Sequence, residues 1–263
     1  MNARPGSRRT AAMFRPHLSV LAACLWITVT ALNAAAAGSG DAALTAARQR
    51  ASEVAAVIVA AAYPDQPSPP ADAAWRTSLG VNLQDYANNP GADRARFESA
   101  ADASRRILKG ETSAKHTPAD TSRWLDAAAD ALLAHVRAAE TAAAGTAPSS
   151  EQAATISELR RTAHLARFHA RRLIASVHLN LFKRALRLAE LVAATLIEKE
   201  AVAAWSELVA LAGDHPLASQ WRSELKGLQL NLKELEEQCC PPDEAILREK
   251  VWEPATDHGQ PIP

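Results

Sequence analysis

Residues 150–212 read SEQAATISELRRTAHLARFHARRLIASVHLNLFKRALRLAELVAATLIEKEAVAAWSELVALA and contain neither glycine nor proline. In the first half of this stretch, apolar residues recur at alternating spacings of three and four: Ile156, Leu159, Ala163, Ala166, Ala170, Leu173 and Val177. This heptad-like spacing places them on one face of an α-helix. Because helices in globular domains usually run about 8–20 residues, we expect a break within Asn180–Leu188.

The helical pattern continues on both sides of this stretch. Residues that cap or end helices delimit further predicted helices over 41–62, 92–109, 118–144 and 219–238, with shorter helical segments after Asp72, at 83–86 and over 243–250. Aromatic residues make up only 5% of the chain, which disfavours a sheet protein. We therefore predict an all-α, irregular, Ala-rich bundle of five to seven helices.

The first 37 residues have the order of segments typical of a secretory signal peptide. Four arginines without an acid precede an apolar run over residues 18–32, and small residues up to Ala37 follow. We expect cleavage near Ala37, an exported protein in the periplasm or outside the cell, and no membrane span after cleavage. A retained anchor is the alternative, and translation can begin at Met1 or Met13.

The predicted organisation has four parts. The signal peptide, residues 1–37, is followed by a helix and a Pro-rich linker over 38–70, the bundle over 71–240 and a Pro-containing tail over 241–263. The proline cluster at 64–70 predicts a stiff linker.

Positive charge is concentrated between Arg160 and Arg187, where no Asp or Glu occurs. Helical geometry places four of these side chains on one face, so the candidate anion- or partner-binding residues are Arg160, His164, Arg167 and Arg171, with Arg172 beside them. Like charges at such spacings repel, so the face needs a partner.

Two kinds of partner remain open for this face. One is an acidic helix of the same chain, such as the helix that carries Glu234, Glu236 and Glu237. The other is an external anion: an acidic protein, an anionic glycan or envelope phosphate groups. Nucleic acid is excluded as a partner, because the chain without its leader is net acidic and few aromatic residues interleave the block.

Cys239 and Cys240 are adjacent, which makes them a possible redox pair. Neighbouring cysteines can form a strained vicinal disulfide, pair between chains or stay reduced. We expect no bridge with a large stabilising effect, because closing a loop between neighbours removes almost no chain entropy.

No pattern of nucleophile, metal or cofactor binding is present in the sequence. His164 and His169 are five residues apart, which directs them to different sides of a helix, and no G-x-S-x-G turn occurs. We therefore predict no catalytic residue, no metal and no cofactor, and the sequence favours a non-enzymatic protein.

Residues 165–172, LARFHARR, and 203–209, AAWSELV, resemble a helical region of some large secreted bacterial proteins related to glycoside hydrolases. The resemblance covers about residues 150–221, and it implies an accessory helical module without a transferred catalytic residue. The predicted function is an exported interaction or accessory module. The alternative is an accessory part or remnant of a secreted polysaccharide-processing enzyme.

Overall fold

Seven helices and no strand make up the part of the chain that the computed structural model describes, residues 40–62, 82–142 and 149–239. They are α1 (Gly40–Ala62), α2 (Leu83–Asn88), α3 (Ala100–Lys109), α4 (Pro118–Ala142), α5 (Ser150–Ala185), α6 (Leu188–Ala210) and α7 (Ala218–Cys239). The predicted all-α class is confirmed. The predicted signal peptide, the linker, the segment after Asp72 and the tail lie outside the described residues.

Helix α5 is the centre of the bundle. Its seven predicted inward residues, from Ile156 to Val177, are all buried. The helix begins at a capping box. The Ser149 side chain accepts a hydrogen bond from the backbone amide of Gln152, and the Gln152 side chain accepts one from the backbone amide of Ser149. It runs for 36 residues, longer than the usual range that motivated the predicted break.

The break falls inside the predicted window, at Leu186 and Arg187. Leu186 has a left-handed backbone conformation with φ 53°, and its amide donates to the Phe182 carbonyl at 2.7 Å. Helix α6 then returns along α5, and α4 packs on the other flank of α5. Helix α1 packs on α4, and α7 packs on α6.

Helix α3 is shorter than predicted, because it begins at Ala100 instead of Ala92. Phe97 pairs with His116 in an isolated bridge, and Ser99 then caps α3 by accepting the Asp102 amide at 3.1 Å. These contacts hold residues 92–99 out of the helix. Ala100, Ala103 and Ser104 form the buried side of α3, whereas Leu108 is 44% exposed.

The end of α1 is held by the loop after α2. The Asp93 amide donates to the Ala60 carbonyl at 3.0 Å, and the Asn89 amide group donates to the Ala62 carbonyl. Gly91 lies between them with φ 77°, where a Cβ would come within 2.9 Å of the Ala61 carbonyl oxygen. This close approach requires glycine.

Tryptophans anchor the alanine-rich core. Trp205 and Trp221 are fully buried, and the Trp205 indole donates to the Trp221 carbonyl at 3.2 Å. Within the described residues, none of the helices is long and apolar enough to cross a membrane.

Candidate functional site

The predicted basic face of α5 lies between α4 and α6 and is paired with their carboxylates. The pairs are Arg160–Glu140, Arg167–Asp130, Arg171–Asp126 and Arg171–Glu200, with N–O distances from 2.5 to 2.7 Å. The sequence suggested Glu234, Glu236 and Glu237 of the last helix as partners, but these residues do not pair with the basic face. The reason is topological, because α4 and α6 flank α5 whereas α7 packs on α6.

Arg167 and Arg171 line an open groove of about 550 Å³ together with His164. The groove contains two guanidinium groups, of Arg167 and Arg171, and four carboxylates: Asp126, Asp130, Glu200 and Glu207. Burial, and after it the nearby charge of Arg167, lower the pKa of His164. Because acids outnumber cations, the groove is poorly suited to an external anion.

Arg172 does not share this face with the other candidates. Its guanidinium is fully buried and contacts Glu198, with Nη2–Oε1 at 3.0 Å and Nε–Oε2 at 3.3 Å. The guanidinium carbon also lies 5.2 Å from the centre of the Tyr86 ring and 5.4 Å from that of Phe168. A buried cation so enclosed is not available to a ligand.

The remainder of this buried cluster is polar and internally bonded. The Tyr86 hydroxyl and His169 Nδ1 are 3.0 Å apart, and both residues are buried. Burial raises the pKa of Tyr86 and the pKa of Glu198. The nearby positive charge of Arg172 acts in the opposite direction on both groups. The cluster joins α2, α5 and α6, so its role is in packing. The sequence contained no signal that singled out Glu198.

Three cations at the end of the basic block behave differently from the rest. Lys183, Arg184 and Arg187 are exposed, and none of them forms an ion pair with a described residue. Arg184 Nε instead donates to the Ser104 hydroxyl at 3.1 Å. Leu186 and Leu188 flank Arg187 and are 78% and 52% exposed. We call residues 183–188 the basic corner.

Sequence reasoning placed these residues in the basic block without separating them from it. The separation depends on which carboxylates α4 and α6 bring to α5, and that is a property of the packed helices. The available signal was the predicted helix break, which coincides with the last cations of the block.

A second concave site lies between α1 and α4. Its volume is about 360 Å³, and its aromatic lining consists of Phe97, His116 and Trp124. The Arg50 guanidinium lies 5.9 Å from the centre of the Trp124 ring, and that of Arg96 lies 5.7 Å from the Phe97 ring. We call this site the aromatic cleft. The sequence did not indicate it, because its walls come from distant segments.

Cys239 is buried at the end of α7, with Sγ 3.5 Å from the Glu236 carbonyl oxygen. Cys240 lies outside the described residues, so the redox pair stays a prediction.

Among the described residues, no three His, Cys, Asp or Glu side chains come together as ligands for a metal ion. His169 contacts Tyr86, and His178 Nδ1 lies 2.7 Å from Glu190 Oε2. These two imidazoles are thus held by separate partners.

Comparison of the chain with protein-family models, curated proteins and solved structures found no match. The resemblance of residues 150–221 to secreted glycoside-hydrolase-like proteins therefore stays a prediction.

Proposed function

We propose that the protein is an exported, non-enzymatic interaction module that binds an acidic partner through the basic corner. One observation carries the proposal: within the basic block, the exposed cations that form no ion pair with a described residue are those at residues 183–187. Export is supported by the signal-peptide pattern of residues 1–37.

Helix stability explains only part of this charge. Lys183 and Arg184 lie in the last turn of α5, where cations interact favourably with the free carbonyl groups. Arg187, however, is the N-cap of α6 and makes no side-chain capping hydrogen bond. The N-terminal end of a helix disfavours a cation, so Arg187 is placed against the local preference.

The paired arginines are weaker candidates for the same role. An external anion at Arg167 or Arg171 would compete with carboxylates that are already in contact with them. Exposed pairs of this kind contribute about 0.2–1 kcal/mol each. The basic corner attracts an anion without that competition.

Retention on an immobilised polyanion such as heparin tests the proposal. We expect Lys183→Gln with Arg187→Gln to elute at clearly lower salt than the unsubstituted protein, because the interaction is electrostatic and screened by salt. The matched control is Arg167→Gln with Arg171→Gln, which removes the same charge and should change elution less. Equal losses in the two double variants would contradict the proposal.

The aromatic cleft favours a second candidate, an accessory module of a polysaccharide-processing enzyme. A sugar can stack on these aromatic rings. Arg50 and Arg96 already pair with Glu53 and Asp93, at 2.8 and 3.9 Å, so the cleft suits a neutral sugar better than an acidic one. Calorimetric titration with a neutral oligosaccharide such as cellohexaose tests this reading. Binding that Trp124→Ala abolishes would support the glycan reading, and the absence of binding would contradict it.

A further inference from the structure

The basic corner exposes apolar side chains together with its cations. Leu186 is 78% exposed, and it is the one residue other than glycine that has a positive φ among the described residues. Glycine is the usual residue at this position after a helix, because a side chain is disfavoured there. The chain thus holds a leucine in an unfavourable conformation in which it packs little and projects into solvent.

Helix α3 packs against the C-terminal part of α5, next to the basic corner. Ala100 and Ala103 cluster with Val177 and Leu181, and the Ser104 hydroxyl accepts a hydrogen bond from Arg184. Ile107 and Leu108, in the last turn of α3, are 46% and 44% exposed.

We propose that this pole, residues 107–109 and 183–188, binds the surface of an anionic lipid bilayer. Leu186 and Leu188 enter the headgroup region, and Lys183 and Arg187 contact lipid phosphates. Apolar side chains surrounded by Lys and Arg are the pattern that binds such interfaces. The proposal rests on the proposed function and names its acidic partner.

The two carboxylates near the pole contact other residues. Glu190 lies 2.7 Å from His178, and Glu111 lies 3.8 Å from Lys109. Lys183, Arg184 and Arg187 therefore form no ion pair with a described residue, and their charge complements an anionic surface and not a neutral one.

The shape of the pole favours a lipid surface over a protein. Four aliphatic side chains that are 44–78% exposed present well under the roughly 800 Å² that each partner contributes to a stable protein interface. A projecting corner can enter a lipid headgroup layer without a complementary groove. A second copy of the chain and an acidic protein are accordingly outcomes of the test.

Flotation with vesicles tests the proposal on the protein in its exported, processed form. The vesicles contain phosphatidylglycerol and phosphatidylcholine, or phosphatidylcholine alone. We expect binding to the anionic vesicles only. Lys183→Gln with Arg187→Gln should weaken it about fivefold for each cation removed. Leu186→Gly should also weaken it, and Leu196→Ser is the matched control, because Leu196 is 60% exposed on α6 outside the pole.

The outcomes separate this inference from the proposed function. Retention on the polyanion without flotation would overturn the lipid partner and leave the proposed function standing. If the protein neither is retained on the polyanion nor floats with the anionic vesicles, the proposed function is overturned as well. A dimer in light scattering that Leu186→Gly dissociates, with unchanged flotation, would assign the pole to a second copy and overturn the inference.

Discussion

At position 186, the backbone conformation favours glycine, whereas the proposed binding to lipid requires the leucine side chain. Its left-handed backbone costs a side-chain-bearing residue about 1–2 kcal/mol, and glycine avoids that cost while gaining flexibility in the unfolded chain. We predict that Leu186→Gly raises the free energy of unfolding by about 0.5–1 kcal/mol in urea titrations.

Gly110 supplies the reciprocal control. It ends α3 with φ 67°, and a Cβ there would meet no atom within 4 Å, so strain is the main effect of a side chain. Gly110→Ala should lower the free energy of unfolding by about 1 kcal/mol. A loss of stability in Leu186→Gly would show that the leucine side chain packs in the folded protein.

The buried Arg172–Glu198 pair gives a larger effect. Removing one partner leaves an uncompensated buried charge, so Glu198→Ala should lower the free energy of unfolding by about 3–5 kcal/mol. Replacing both, with Arg172→Met and Glu198→Leu, should recover most of that loss in the same measurement. A double variant as unstable as the single one would mean that the pair acts through packing alone.

Three half-buried histidines predict a fall in stability at mildly acidic pH. Burial lowers the pKa of His135, His164 and His215 below the ordinary value of 6.5, with nearby arginines adding to the effect. The unfolded chain then binds more protons below pH 6.5, so stability is lost as the pH falls through the folded-state values. Melting temperatures should drop over this window, and His164→Gln should reduce the drop. An unchanged pH profile would remove His164 from this account.

At the scale of the helices, the ion pairs between α4 and α5 are intramolecular cross-links. Arg167→Glu places two carboxylates opposite each other, since Asp130 lies 2.7 Å from the arginine. We predict that Arg167→Glu lowers the free energy of unfolding by about 1 kcal/mol. Adding Asp130→Arg should restore it, because the exposed ion pair is then present with its charges reversed. Urea unfolding of the single and double variants measures it. If Glu234→Lys, and not Asp130→Arg, restored the stability of the Arg167→Glu variant, the basic face would pair with the last helix, as the sequence suggested.

The elements that the sequence predicted well are those whose signals are local. The seven inward residues of α5 and the capping box at Ser149 depend on spacings of three and four residues, and both are present. The start of α3 could not be predicted in this way. It depends on the pairing of Phe97 with His116, which brings together residues from two sides of a helix.

At the scale of the whole molecule, the basic block divides into a paired part and a free part. The sequence showed the block but not the division, because Asp126, Asp130 and Glu200 reach α5 only through the packing of α4 and α6. The candidate residues Arg160, Arg167, Arg171 and Arg172 are thereby used within the fold. The cations that remain are collected at one pole with exposed leucines.

Hydrogen–deuterium exchange with and without phosphatidylglycerol vesicles tests most directly whether this pole is the binding surface. We predict slower exchange at residues 104–110 and 183–190 on the vesicles, and unchanged exchange at 126–130 and 164–171. Protection confined to the groove, or spread over the molecule without the pole, would contradict it.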